Sequence, residues 1–428
     1  MRPITADDAA RIALRLQPNI SIAQGGITIQ RGRTRQIKAG LMPQVTVLGG
    51  YTHIQNISRS GSGAVIGNTG TGGTGTGGSG VTSSGSSVTT FTQGTILEGT
   101  LRQLIFDFNH TLNLVRQSVE LEKAATQNFS RVQSDTVLEV KQAFYQYVQD
   151  LRQVQVDQQD VANREAQLGL ARARYNVGLG VQTDILSAET AKAEAIENLS
   201  QAQVNAEQAH FNLAIFMGID PRTPVVPANT TEPPFPGNDV NALTQRALTL
   251  RPEVVLAQYT LRSAQYGVSA AKTTNGPFLS GSANVISSGD EFLPQQNNLT
   301  IGINLTWTPF DGGLTRGVVE EARGNVTVAQ GQLYIAQQTV KNDVAAAYVS
   351  LRAAEQRVAV AVADASNAEE GVRIATGRYS TGLGLFLDII NAQAFLVTAQ
   401  TNLVSTRSAV DQYRAALAHA IGAALPRQ

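Results

Sequence analysis

The sequence predicts an α+β membrane protein in which four strands per chain contribute to a β-barrel and long helices pair as antiparallel coiled-coil hairpins. Three observations carry this. The chain is an internal duplication; each copy holds a heptad-patterned helix too long for any globular core; and each copy holds two segments of alternating apolar and polar residues.

The duplication is legible in register. Ala13-Leu14-Arg15-Leu16-Gln17-Pro18 recurs as Ala247-Leu248-Thr249-Leu250-Arg251-Pro252, a shift of 234 positions. Further on, Phe106-Asp107 recurs as Phe310-Asp311, and Arg174-Tyr175-Asn176-Val177-Gly178-Leu179-Gly180 as Arg378-Tyr379-Ser380-Thr381-Gly382-Leu383-Gly384, now at a shift of 204. Asp184 falls on Asp388 and Gly218 on Gly422 at the same shift. The difference of 30 places an insertion in the first copy, where residues 58–90 are almost entirely Gly, Ser, Thr and Val and read as a long surface loop. Residues 1–220 form the first repeat and 238–428 the second. Between them, residues 221–237 carry six prolines and read as an extended, non-helical linker.

Each repeat opens with short helices, up to about residue 40 in the first and over 238–273 in the second. Strands follow at 41–57 and 88–106, and at 277–290 and 298–309. Leu299, Ile301, Ile303, Leu305 and Trp307 alternate with Asn298, Thr300, Gly302, Asn304 and Thr306, which gives one apolar and one polar face. Val45, Val47 and Tyr51 alternate with Gln44, Thr46 and Thr52 in the same way.

Helical hairpins close the repeats, over 107–219 and 312–424. In the second, Val344, Ala347, Leu351, Ala354, Val358, Ala361, Ala365, Ala368, Val372, Ala375 and Tyr379 keep strict four-three spacing, the seam of a left-handed coiled coil. In the first, Val137, Val140, Phe144, Tyr147, Leu151, Val154, Val161, Leu168 and Tyr175 fit the same frame. A helix from Asp107 to Val177 would run about 105 Å, and Gly178-Leu179-Gly180 stops it.

Composition excludes several functions. With 33 basic and 33 acidic residues the formal net charge is zero, so no nucleic-acid partner is expected. There is no cysteine. The four histidines, His53, His110, His210 and His419, have no metal-ligand spacing, and no catalytic motif is present, so no enzyme, metal or cofactor is expected. Gly70-Thr71-Gly72-Gly73-Thr74-Gly75 matches a dinucleotide fingerprint only formally, inside a low-complexity loop. Met1 to Ala10 lacks the apolar core of a signal peptide, which fits a processed form with an added Met or a cytosolic chain. No apolar run reaches the ~18 residues of a transmembrane helix, so a membrane crossing has to use strands.

A four-stranded sheet has two open edges, and membrane barrels begin at about eight strands. The subunit therefore has to oligomerise, two copies supplying eight strands and three supplying twelve. The Thr, Asn, Gln and Gly of the polar faces suit a water-filled interior, and Trp307 suits an interfacial anchor.

The duplicated Arg-Tyr-x-x-Gly-Leu-Gly-x-x-x-Asp turns, the Leu41-Met42-Pro43 approach to the first strand, and the repeat openings Asp8 to Leu14 and Val240 to Leu248 resemble the TolC-type outer-membrane efflux proteins over essentially the whole chain. The resemblance implies a TolC-like homotrimer with a 12-stranded β-barrel in the outer-membrane lipid, continuous with a long antiparallel α-helical coiled-coil barrel that forms a periplasmic helical domain. It further implies partnership with a periplasmic adaptor (membrane fusion) protein and an inner-membrane pump. The family's adaptors dock on the hairpin turns, which makes Tyr175, Gly178, Leu179, Gly180, Tyr379, Gly382, Leu383 and Gly384 the contact candidates. Similar proteins line the closed entrance with two acidic positions one helical turn apart, here Asp388 and Asn391. A ring of three Asp388 carboxylates would repel one another and attract cations, while Asn391 halves the acidic character. Asp184 is expected among the bonds that hold the entrance shut. Helix capping is the alternative role for either aspartate. The expected function is passive small-molecule efflux. The same channel serving type I protein secretion is the alternative, and a soluble coiled-coil scaffold a remote one.

Overall fold

The structure is a computed structural model of the 428-residue chain, and it describes residues 3–53, 93–228, 231–233, 239–289 and 296–423. The Gly/Ser/Thr-rich segment 58–90 lies outside the described residues, as do the flanking ends 54–57 and 88–92 of the predicted strands and part of the linker. The elements run α1 (Ala6–Leu16), α2 (Pro18–Ala39), β1 (Gln44–His53), β2 (Gln93–Phe106), α3 (His110–Asn176) and α4 (Gln182–Met217). They continue as α5 (Val240–Leu250), α6 (Pro252–Ala271), β3 (Phe278–Gly289), β4 (Gln296–Thr306), α7 (Leu314–Ser380) and α8 (Phe386–Ala420). The chain folds as two compact units. A sheet unit comprises residues 35–115 and 269–318, and a helical unit comprises the rest.

Several predicted boundaries move for local reasons. Pro18 and Pro252 sit at the first position of a helix, where a missing N–H costs nothing. Each therefore separates two helices, α1 from α2 and α5 from α6, as the short helices expected over 238–273 require. The first strand begins at Gln44 rather than residue 41. Gly40, Leu41 and Met42 donate their N–H groups back to Ile37, Lys38 and Ala39, and Pro43 has none to give a ladder. The long helices begin three residues after the duplicated Phe-Asp pairs. Asp107 accepts from the Thr111 N–H at 2.7 Å, and Asp311 accepts from Thr315 N–H at 2.8 Å and Gly313 N–H at 3.0 Å.

In the sheet unit the strands pair antiparallel in the order β1-β2-β3-β4. The register sorts side chains into rows. Val45, Leu101, Ala283 and Ile301 align across all four strands, and the adjacent row is Thr46, Thr100, Asn284 and Thr300. Thr100 Oγ1 donates to Asn284 Oδ1 at 3.3 Å, so the polar rows are tied laterally. The apolar rows are left open among the described residues: Ile301 is 74% exposed and Ile303 72%. Trp307 follows β4 directly and is also exposed. The strands are 10, 14, 12 and 11 residues long, enough to cross a hydrocarbon core when tilted. No helix among the described residues is long and apolar enough to do so.

The helical unit has one core per repeat and one between them. In the first, Ala9, Ala10 and Ala13 of α1 pack on Val137, Val140 and Phe144 of α3 and Leu213 and Met217 of α4. The second repeat builds its core in the same way from Leu243, Ala247, Val340, Val344, Leu417 and Ile421. The predicted α7 seam is buried or half-buried at every position from Val344 to Tyr379. On α3 the frame needs correction. Val137, Val140, Phe144, Tyr147 and Leu168 are buried and Leu151, Val154 and Val161 half-buried, but Asp157, Asp160, Arg164, Gln167 and Ala171, each one residue before a position of the frame, are buried as well, and Tyr175 is 45% exposed. The buried stripe therefore steps back by one residue between Tyr147 and Asp157.

The described part of the linker, residues 221–228 and 231–233, is not helical and does not trail in solvent. Ile4 exchanges backbone hydrogen bonds with Val226 and Ala228, at 3.0 and 2.7 Å. Lys141 Nζ lies 2.6 Å from Glu232 and 2.8 Å from Asp7. Glu232 N–H donates to Asp411 at 3.1 Å, and Arg414 donates to the Glu232 carbonyl at 3.0 Å. Burial works against the Lys141 charge, yet the hydrogen bonds it donates to Asp7 and Glu232 outweigh it and hold the lysine above its ordinary pKa.

Candidate functional site

The two hairpin turns are built alike. Gly178 N–H bonds the Tyr175 carbonyl and Leu179 N–H the Arg174 carbonyl, at 3.0 and 2.9 Å. Gly382 and Leu383 do the same to Tyr379 and Arg378, at 3.0 and 2.8 Å. This paired closure of a helix C-terminus requires a left-handed residue. Gly178 (φ 76°) and Gly382 (φ 81°) supply it. Gly180 and Gly384 are required for a second reason. A Cβ at Gly180 would lie 2.9 Å from Tyr175 N, and one at Gly384 would lie 3.0 Å from Arg378 Cβ. The tips, Leu179 and Leu383, are exposed.

The first turn grips the second. Arg174 donates to the carbonyls of Tyr379 and Ser380, the latter at 2.8 Å, and its guanidinium lies 4.7 Å from the centre of the Tyr379 ring. These carbonyls end α7, where no intrahelical donor is left and a cation is favoured. Tyr379 in turn donates its hydroxyl to Asp184 Oδ2 at 2.9 Å and packs edge-on against Phe386, 5.3 Å between centroids. Tyr379, Phe386 and Ile389 share a core with Leu168, Ala171 and Ala188. Burial, and then the hydrogen bond to Asp184 with its charge, push the Tyr379 hydroxyl up to about 12, so it remains a donor at neutral pH.

Of the residues predicted for the gate, the structure brings only Asp184 into this cluster, and its carboxylate goes to Tyr379 rather than to a helix cap. Asp388 does cap its own helix, accepting from Leu385 N–H at 3.1 Å. Asp388 and Asn391 are exposed, three residues apart on α8. Tyr175 has no hydrogen-bond partner for its hydroxyl among the described residues.

Sequence reasoning missed a polar layer buried in the helical unit. Gln393 of α8 donates to Asp160 Oδ1 at 2.8 Å and accepts from Gln167 at 3.4 Å. Arg164 Nε lies 3.4 Å from Asp160, with its side chain 9% exposed. Gln153 donates to Asp157 at 2.9 Å. Burial raises the Asp157 carboxyl above its ordinary pKa; the Gln153 bond opposes the rise and the Asp160 charge adds to it. On α3 these positions each lie one residue before a position of the predicted frame, and nothing in the heptad spacing marks them. Among the described residues no cluster has the makings of a metal site.

A four-stranded sheet with an apolar face open to its surroundings, joined in one chain to paired coiled-coil hairpins, defines a subunit of a membrane channel. The family profile described as outer membrane efflux protein matches residues 10–218 and 243–423. The chain is 27% identical to the outer membrane efflux protein BepC of Brucella suis over 75% of its length and 71% of the relative's. It is 28% identical to the outer membrane protein OprJ of Pseudomonas aeruginosa, over 60% and 55% of the two chains, and 25% identical to TolC of Escherichia coli, over 72% and 65%. Two solved structures share the fold. The outer membrane protein VceC of Vibrio cholerae has a TM-score of 0.77 at 19% identity, over 98% of this chain and 97% of that one. The CmeC outer membrane channel of Campylobacter jejuni has a TM-score of 0.79 at 15% identity, over 98% and 86%. The chain therefore belongs to the outer membrane efflux protein family and is a TolC-like outer-membrane efflux channel protein rather than an enzyme.

Proposed function

We infer that this chain forms a homotrimeric conduit carrying small molecules from the periplasm across the outer membrane, opened by a periplasmic adaptor and powered by an inner-membrane pump. The observation that carries the trimer is the sheet itself. Both edge strands are unpaired among the described residues, and in an all-antiparallel meander of four strands β4 runs opposite to β1. β4 of one subunit can thus pair antiparallel with β1 of the next, closing a barrel without an exposed edge. Three copies supply twelve strands, with the Thr46 to Thr300 row lining water and the Val45 to Ile301 row meeting lipid.

The hairpin turns form the periplasmic entrance. Arg174, Tyr379 and Asp184 hold the second hairpin against the first, Asp388 and Asn391 face the constriction, and the tips around Leu179 and Leu383 receive the adaptor. The test is single-channel conductance of detergent-purified protein in a planar bilayer, with Asp388→Ala compared to wild type during a titration of divalent cations. Small cation-selective steps that enlarge on substitution support the conduit. A protein that needs no detergent and conducts nothing overturns it in favour of a scaffold.

A further inference from the structure

Beside the linker, a cleft of about 680 Å³ opens between α3, α7 and α8. Arg152 of α3 and Arg407 and Arg414 of α8 line it, with Asp411 of α8, Glu355 of α7 and Thr231 of the linker. Three guanidinium groups thus meet two carboxyls, and both carboxyls are already engaged. Asp411 accepts the Glu232 N–H and is 6% exposed, and Glu355 accepts from Arg414 at 3.3 Å. Burial pushes the Asp411 carboxyl above its ordinary pKa, against the Glu232 N–H and the charges of Arg414 and Arg152, which makes it a weak counter-charge. Arg414 gives its other terminal nitrogen to the Glu232 carbonyl, and its buried Nε has no partner among the described residues. Arg407 is exposed and makes no hydrogen bond or ion pair among the described residues. Val358 and Val410 supply an apolar wall.

An excess of guanidinium charge around a cleft suits a carboxylate or a phosphate, which the planar fork holds through two parallel bonds. The volume lies within the roughly 300–1,000 Å³ of small-ligand pockets. A phosphate alone would leave the valines uncovered, so the fitting ligand carries carboxylates and small apolar groups together.

We propose that this cleft binds the stem peptide of peptidoglycan, with Arg407 holding a stem carboxylate at the mouth, Arg152 and Arg414 supplying the positive field, and the two valines covering alanine methyls. The inference rests on the conduit of the preceding section, which puts the helical unit in the periplasm. α3 and α7 have 67 residues each, about 100 Å, enough to cross the peptidoglycan that underlies the outer membrane. A stem peptide carries its carboxylates between alanine side chains, and so matches both walls. Every lining residue belongs to one chain, so each subunit carries a whole cleft. A trimer would grip the wall at three points, and the effective concentration of the second and third contacts makes individually weak sites hold.

The test is sedimentation of the detergent-purified protein with isolated, protein-free sacculi. Wild type is expected to pellet with them and to be released by soluble disaccharide-tetrapeptide, but not by the same compound with its carboxylates amidated. Arg407→Glu should raise the sacculus concentration for half-retention at least about tenfold, the worth of one charge-assisted hydrogen bond, and Arg407→Lys should recover part of it. Equal unfolding midpoints confirm that both variants fold. Retention that Arg407→Glu leaves unchanged overturns the site. Release by succinate or inorganic phosphate as effective as release by the tetrapeptide reduces the cleft to a general anion site and also overturns it, as does stronger release by an acidic peptide of L-residues, which points to a protein partner. Wild type that conducts in bilayers but stays in the supernatant overturns the site and leaves the conduit standing. A protein that conducts nothing and needs no detergent overturns the conduit, and the proposal with it.

Discussion

Tyr379 of the second repeat donates its hydroxyl to Asp184 of the first across 2.9 Å, although 195 residues separate them. Removing that hydroxyl in Tyr379→Phe keeps the ring, its contact with Phe386 and its place under Arg174, and leaves the Asp184 carboxylate without its donor. A lost hydrogen bond to a charged group is worth about 1.5–3 kcal/mol. Tyr379→Phe should therefore enlarge single-channel conductance while leaving the trimer intact by native mass spectrometry. Unchanged conductance would remove Tyr379 from the gate.

The same bond has a pH signature. Tyr379 is raised from 10.0 to about 12 on folding. A raised pKa contributes stability that is complete below the unfolded value and lost as pH rises through the folded one. The Tyr379–Asp184 bond should thus hold throughout the neutral and mildly alkaline range and fail only toward pH 12. Conductance steps recorded up to pH about 9 should keep their wild-type size; growth within that range would contradict the assignment.

Lys141 should be the most sensitive charge in the helical unit. Its side chain and that of Glu232 are each 10% exposed, and removing one partner of a buried pair costs about 3–5 kcal/mol. Lys141→Ala should lower the thermal unfolding midpoint markedly, and pairing it with Glu232→Gln should recover a large part of the loss. A double variant no better than the single one would show that the lysine acts through packing alone.

Asp157→Asn should stabilise. The carboxyl is raised on folding, so its ionisation disfavours the native state above the unfolded pKa of 3.8. Asparagine keeps an acceptor for Gln153 without the buried charge. The gain should be largest near neutral pH and vanish as pH falls below 3.8, where the wild-type carboxyl is protonated in both states. Circular dichroism melts across that range check the sign.

Gly180→Ala and Gly384→Ala should deform the hairpin tips, because the new methyl would sit 2.9–3.0 Å from the preceding helix end. Gly178→Ala should cost about 1 kcal/mol through its left-handed backbone. Loss of adaptor capture in surface binding, with the unfolding midpoint of the helical unit nearly unchanged, is the expected pattern for all three.

Much of the architecture was legible because it is periodic. Ile301 and Ile303 alternate with Gly302 and Asn304 and do project to one open face, and Val344 to Tyr379 does form one buried stripe. The site was legible only as a set of candidates. The spacing of Asp184 and Asp388 after their glycine turns is identical, yet one aspartate reaches across to Tyr379 and the other caps its own helix.

By itself, then, the sequence determined which segments are strands and helices, where the hairpins turn and which strand face is apolar. All of these follow from residue order over a few turns of backbone. Only the tertiary structure decided the pairings between repeats and the inward position of Asp157, Asp160 and Arg164. Those depend on how helix faces rotate against one another over about 100 Å, where a one-residue step of the buried stripe decides which side chain is buried.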